Sequence, residues 1–116
     1  MGLLKKLFSL ARRLKLDVLV EVFDEDDLEK ALQLDCPIVG INNRNLETLQ
    51  VDINNTFKLI PKIPKDRIVI SESGIRTFKD ILSLWQAGVR GFLIGESFLK
   101  SKNLLRKVRE LQGKIL

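Results

Sequence analysis

Ile68-Val-Ile-Ser-Glu-Ser-Gly-Ile75 and Gly91-Phe-Leu-Ile-Gly-Glu-Ser97 decide how this chain reads. Each is an apolar run of strand character that ends abruptly in Ser, Glu and Gly. A strand stopping on small polar residues ahead of a helix leaves free backbone N–H groups at the helix start. Those donors, with the positive end of the helix dipole, suit a phosphate. The pattern occurs twice, in consecutive strand–helix units.

Working outward, the same alternation fills the sequence. Leu3 to Leu16 places Leu3, Leu4, Leu7, Phe8, Leu10, Ala11 and Leu14 at helical spacing, with Lys and Arg on the other face. Val18 to Val22 reads as a strand interrupted by Glu21, and Asp24 caps a helix from Glu25 to about Leu34. Pro37 to Ile41 is a second strand, ending in Asn42-Asn-Arg-Asn45. After a loop from Glu47 to Val51, Asp52 caps a helix to about Ile60, closed by Pro61 and Pro64. Arg67 to Ile70 form the third strand. Thr77 caps a helix that stops near Gly88, a C′ glycine. Phe92 to Ile94 form the fourth strand, followed by a short helical turn and a final amphipathic helix from about Leu104 to Leu111.

A helix followed by four strand–helix units, with short and almost wholly apolar strands, predicts an α/β fold with a parallel four-stranded sheet covered by helices. No linker or low-complexity tract divides residues 1–116, so one domain is expected.

Composition narrows the function. A hydrophobic content of 45% with 30% charged residues belongs to a globular protein, not a disordered one. No apolar run approaches the ~20 residues a bilayer requires, and no secretory leader is evident, so no membrane partner is expected. The net charge of +5 is dispersed along helix faces (Lys5, Lys6, Arg12, Arg13, Lys15) without a nucleic-acid module, which argues against nucleic acid as a partner. The chain has no His and one Cys, so a zinc site is not expected. Cys36 reads as a small buried apolar residue and fits a reducing, cytoplasmic setting. Trp85 and Phe57, Phe78, Phe92 and Phe98 read as packing.

In a parallel α/β sheet, ligands gather at the carboxyl ends of the strands. Here those ends carry Glu21, Asn42 with Arg44, Glu72-Ser73-Gly74, and Gly95-Glu96. A carboxylate inside an apolar strand, as Glu21 is, needs a partner or a raised pKa and would suit acid/base work. The alternative is a solvent-facing residue on a half-exposed strand. Asn42 and Arg44 offer an amide and a fork of donors to a substrate, or simply serve the turn. Turn chemistry is the preferred reading for Asn43 and Asn45. Ser73, Gly74 and Gly95 would let the main chain approach an anion. The two Gly-containing endings together resemble the phosphate grip formed by the last two strands of a β/α barrel.

The motifs Leu19-Val-Glu-Val22, Gly40-Ile-Asn-Asn-Arg44, Ser71-Glu-Ser-Gly-Ile75 and Phe92-Leu-Ile-Gly95, in this order and spacing, resemble those of indole-3-glycerol phosphate synthase. The resemblance runs over essentially the whole chain. It implies the carboxyl-terminal half of a (βα)8 barrel: the fourth helix, then units five to eight. That family is a carboxy-lyase of tryptophan biosynthesis. It closes the indole ring of 1-(2-carboxyphenylamino)-1-deoxyribulose 5-phosphate, releasing carbon dioxide and water without cofactor or metal.

By this resemblance, Glu21 is the acid/base carboxylate, Asn42 and Arg44 orient the substrate, and Leu46 is an apolar wall of the anthranilate pocket. Glu72 is a supporting active-site carboxylate. Ser73, Gly74, Gly95 and Glu96 form the phosphate site, Glu96 through its backbone N–H alone. Two local departures stand out: Phe23 where the family usually has His, and Asn45 where it has Asp. The catalytic lysines and a further glutamate of the family lie in the absent first half, so the chain alone is expected to be inactive while retaining part of the phosphate site.

Four parallel strands cannot close a barrel of eight. The expected partners are therefore a second copy or a complementary amino-terminal half-barrel, besides phosphate or a phosphorylated substrate. An alternative is rearrangement into an open, flavodoxin-like sheet, with the first helix covering the exposed face. Met1-Gly2 reads as an engineered start, which leaves open an independent or designed half-barrel scaffold, or a phosphate-binding protein without catalysis.

Overall fold

A computed structural model describes residues 2–114 of the chain. Its elements alternate as the hydrophobic pattern requires. Helix α1 (Gly2–Arg13) precedes β1 (Leu19–Val22), α2 (Glu25–Leu32), β2 (Ile38–Asn42), α3 (Asn54–Leu59), a 3-10 turn (Ile60–Lys62) and β3 (Ile68–Glu72). Then come α4 (Phe78–Ala87), β4 (Gly91–Leu93), α5 (Glu96–Leu99) and α6 (Leu104–Leu111). Met1, and with it the first residue of the expected engineered start, lies outside the described residues.

Local chemistry sets the helix ends. Asp24 accepts from the Asp27 backbone N–H, and Asn103 accepts from that of Arg106. Thr77 and Asp80 form a reciprocal capping box, and α4 terminates on Gly88 at φ 117°. Helix α1 ends three residues before the predicted Leu16. There Lys15 turns left-handed at φ 58° and the Leu16 N–H reaches back to the Ala11 carbonyl, satisfying an orphan acceptor of the last turn. Asp52 does bind the start of α3, through the Asn54 N–H, but the helix is only six residues long.

All strand pairs are parallel, and the strand order is β1-β2-β3-β4. That sequential order is the one a β/α barrel uses. A flavodoxin-like sheet would place later strands on both sides of the first, so the expected alternative of a flavodoxin-like rearrangement is not what this chain adopts. Helix α1 does not cover the open face either. Its Leu4, Leu7 and Phe8 share a groove with Val18, Leu19, Val20, Glu21 and Leu34, Leu19 stays 40% exposed, and none of the helix's residues is buried.

The register sorts residues onto two faces. Val22, Val39, Ile41 and Val69 pack with Leu28, Ala31, Leu59, Ile63 and Leu84 from the helices, and this is the core. Fully burying such a side chain is worth ~1.5–3 kcal/mol. The opposite parity carries Leu19, Ile38 and Ile68 in one row, Glu21, Gly40, Ile70 and Gly91 in the next, and Asn42, Glu72 and Leu93 in the last. On this inner face Leu19, Ile68 and Leu93 are 40%, 49% and 59% exposed. Among the described residues no helix is long and apolar enough to cross a membrane.

Cys36 is buried and its thiol donates to the Val18 and Ile38 carbonyls. Phe57 and Phe92 pack on the core as expected. Trp85 does not: half of it is exposed, and the Arg90 guanidinium lies 4.0 Å from its ring centroid.

Candidate active site at the carboxyl edge

Asn42, the last residue of β2, is the centre from which the carboxyl edge is organised. Its Nδ2 donates to Glu21 Oε1 at 3.0 Å. Its Oδ1 accepts from Ser73 Oγ and from the Arg44 N–H, both at 3.0 Å. One amide thus connects the end of β1, the turn after β3 and the loop that carries Arg44. Glu21 is exposed on the inner face, as the solvent-facing alternative had it, and Asn42 supplies its partner.

The buried carboxyl is Glu72, paired in register with Asn42 and 5% exposed. Its side chain lies across Gly40: a Cβ there would come within 2.1 Å of Glu72 Oε2. Glycine on the neighbouring strand is what gives this carboxyl its place. Burial, then a hydrogen bond with the Glu21 side chain and its negative charge, push Glu72 up to about 7. Oε2 has no hydrogen-bond partner among the described residues, and two ionised carboxylates have no donor to share. A proton held by Glu72 resolves both problems. Glu72, beside Glu21, can therefore hold and release a proton near neutral pH, as acid/base chemistry needs.

Ser73 and Gly74 both have left-handed backbones, at φ 73° and 80°. Gly74 cannot bear a side chain, because a Cβ would lie 2.6 Å from Val51 Cγ1. Gly95 has nothing within 4 Å of where a Cβ would stand, so its main chain is open to approach. Between these two turns runs an open groove of about 680 Å³. Arg44, Glu72, Ser73, Gly74, Gly95 and Glu96 all line it. Glu21 and Asn42 do not, although Asn42 touches Ser73. Leu46, expected as an apolar wall, is 70% exposed in the loop after β2 and lies outside the groove lining.

Glu96 offers more than its backbone. Arg44 Nη2 pairs with Oε2 at 2.8 Å, and Lys100 Nζ with Oε1 at 2.7 Å. Lys100, then Arg44, hold this carboxyl below the usual range. Arg76, Lys100 and Lys107, none of them at a strand end, also line the groove. Only Lys100 carried a signal, its i+4 spacing from Glu96. Asn45 is a turn residue, accepting from the Glu47 and Thr48 N–H groups. Asn43 is not: it is 2% exposed, with partners in three segments.

A parallel sheet in sequential order, with carboxylates, an amide and two glycine turns gathered at its carboxyl edge, defines part of a β/α barrel. A family profile described as indole-3-glycerol phosphate synthase matches residues 1–111, and the chain belongs to that family. An indole-3-glycerol phosphate synthase of Caldanaerobacter subterraneus is 52% identical over 111 residues, covering 91% of this chain and 43% of that protein. Those of Nautilia profundicola and Acetivibrio thermocellus are 44% and 47% identical, covering 96% and 95% of this chain. The chain thus spans less than half the length of these curated relatives, as the half-barrel motifs imply. Among solved structures, the Amycolatopsis orientalis BexX/CysO complex contains a chain similar in fold alone. Its TM-score is 0.67 at 13% identity, over 89% of this chain and 43% of that one.

Proposed function

We propose that this chain is the phosphate-gripping half of an indole-3-glycerol phosphate synthase. In this reading it closes the indole ring only when a complementary amino-terminal half-barrel supplies the missing catalytic lysines. The observation that carries the reading is the Asn42 amide, which ties the Glu21–Glu72 pair to the turn at Ser73 on a single edge. Glu21 then serves as acid/base, with Glu72 as its proton-sharing neighbour. Asn42 and Arg44 orient the anthranilate portion. The turns at Ser73-Gly74 and Gly95-Glu96 receive the phosphate.

The two lysines beside the groove are already engaged. Lys100 is paired with Glu96, and Lys107 Nζ donates to the Arg76 carbonyl at 2.6 Å. Neither replaces a lysine general acid at a strand end, so the chain alone binds phosphate weakly and does not turn over. Such an enzyme works in the cytoplasm. The exposed inner-face residues Leu19, Ile68 and Leu93 also favour pairing with a second copy when the other half is absent.

The test is to mix this chain with the amino-terminal half-barrel of a relative and follow indole-3-glycerol phosphate by its fluorescence. Turnover is expected in the mixture alone, and Glu21→Gln should abolish it. Glu21-dependent turnover by the isolated chain would overturn the reading.

A further inference from the structure

Adjacent residues at the end of β2 grip the same turn from opposite sides. Asn42 holds the Ser73 hydroxyl. Asn43, buried beneath the edge, holds the Ser73 carbonyl through Nδ2 at 3.0 Å. The same Nδ2 donates to Ser71 Oγ at 3.0 Å. Its Oδ1 accepts from the Thr56 N–H at 3.1 Å and the Thr56 hydroxyl at 2.7 Å. The Thr56 and Ser71 hydroxyls are themselves 2.8 Å apart. Every hydrogen-bonding position of the Asn43 amide is thereby used.

Ser73 needs such a grip. A left-handed backbone at a non-glycine residue is strained and persists only where its surroundings over-determine it. Gly74, next in line, is left-handed at no steric cost and would not hold the turn by itself. The pair of bonds from Asn42 and Asn43 is the over-determination, and only the Asn43 bond acts on the Ser73 backbone directly. Asparagine is also the side chain the place requires. Aspartate would set a carboxylate oxygen against the Ser73 carbonyl, and leucine would remove both the donor to that carbonyl and the acceptor of the Thr56 hydroxyl.

We infer that Asn43 is a positioning residue of the anion-binding turn: its Nδ2 bond to the Ser73 carbonyl holds Ser73-Gly74 in the left-handed conformation that receives phosphate. This rests on the reading of the groove as the phosphate site, and the two are separable by experiment. The measurements are backbone NMR shifts of Ser73 and Gly74 and the affinity for inorganic phosphate, in the unaltered chain and in Asn43→Asp. Asn43→Ser, too short to reach Ser73, is read in the same way. Leu84→Ala, a core truncation remote from the turn, controls for lost stability.

In both Asn43 variants the Ser73 and Gly74 shifts should leave their left-handed values and phosphate affinity should fall about tenfold, which corresponds to ~1.4 kcal/mol. Leu84→Ala should leave the Ser73 and Gly74 shifts in place and the affinity within twofold. Unmoved shifts in a folded Asn43 variant overturn the inference, and so do moved shifts with unchanged affinity. If the unaltered chain binds no phosphate, the phosphate reading fails, and the shifts alone decide whether Asn43 sets the turn.

Discussion

The two faces of the sheet are built from the same four strands and reach opposite outcomes. On the helix-covered face Val39 and Ile41 are wholly buried, and the side chains of α2, α3 and α4 close over them. On the inner face, one residue away along each strand, Leu19, Ile68 and Leu93 stand 40–59% exposed. Strand alternation makes this contrast unavoidable, because successive side chains leave on opposite sides. The first face is completed within the chain. The second leaves Leu19, Ile68 and Leu93 uncovered beside the candidate acid/base residues.

Truncation should expose the contrast most strongly. Ile41→Ala, on the covered face, should destabilise the chain by about 2–5 kcal/mol in urea unfolding. Leu93→Ala, on the inner face, should cost about 0.5 kcal/mol or less at micromolar concentration. Equal costs would mean that the inner face is packed after all.

Glu72 sharpens the comparison, being the buried carboxyl of an otherwise open face. Its proton is held more tightly in the folded chain than in the unfolded one, where the ordinary value is 4.5. The stability it contributes is therefore complete below pH about 4.5 and lost as pH rises through about 7. The loss is on the order of 3 kcal/mol. Unfolding free energies measured from pH 5 to pH 8 should decline, and Glu72→Gln should flatten the decline. An unchanged slope in that variant would show that another group titrates.

What the sequence disclosed and what it concealed follow the same division between local and distant causes. Helix α6 and the Thr77 and Gly88 ends of α4 were legible because spacing and capping are local. Strand β3 continues to Glu72, past the predicted Ile70, since Ser71 and Glu72 pair with Ile41 and Asn42 of β2. No local pattern announces that. Of the site, the strand-end residues could be named in advance. Their linkage could not: Arg44 meets Glu96 across 52 positions, and Asn43 finds Thr56 and Ser71 13 and 28 positions away. Nor could the sequence reveal that Glu72 is more buried than Glu21, because that depends on Gly40 of the neighbouring strand making room.

The central claim is that the inner face requires a second body. Light scattering on the isolated chain from micromolar to millimolar concentration tests it most directly. The account predicts a mass rising above the 13.3 kDa of one chain as concentration increases, and a 1:1 complex instead when an amino-terminal half-barrel is added. A mass of 13.3 kDa throughout, with no complex on mixing, would contradict it.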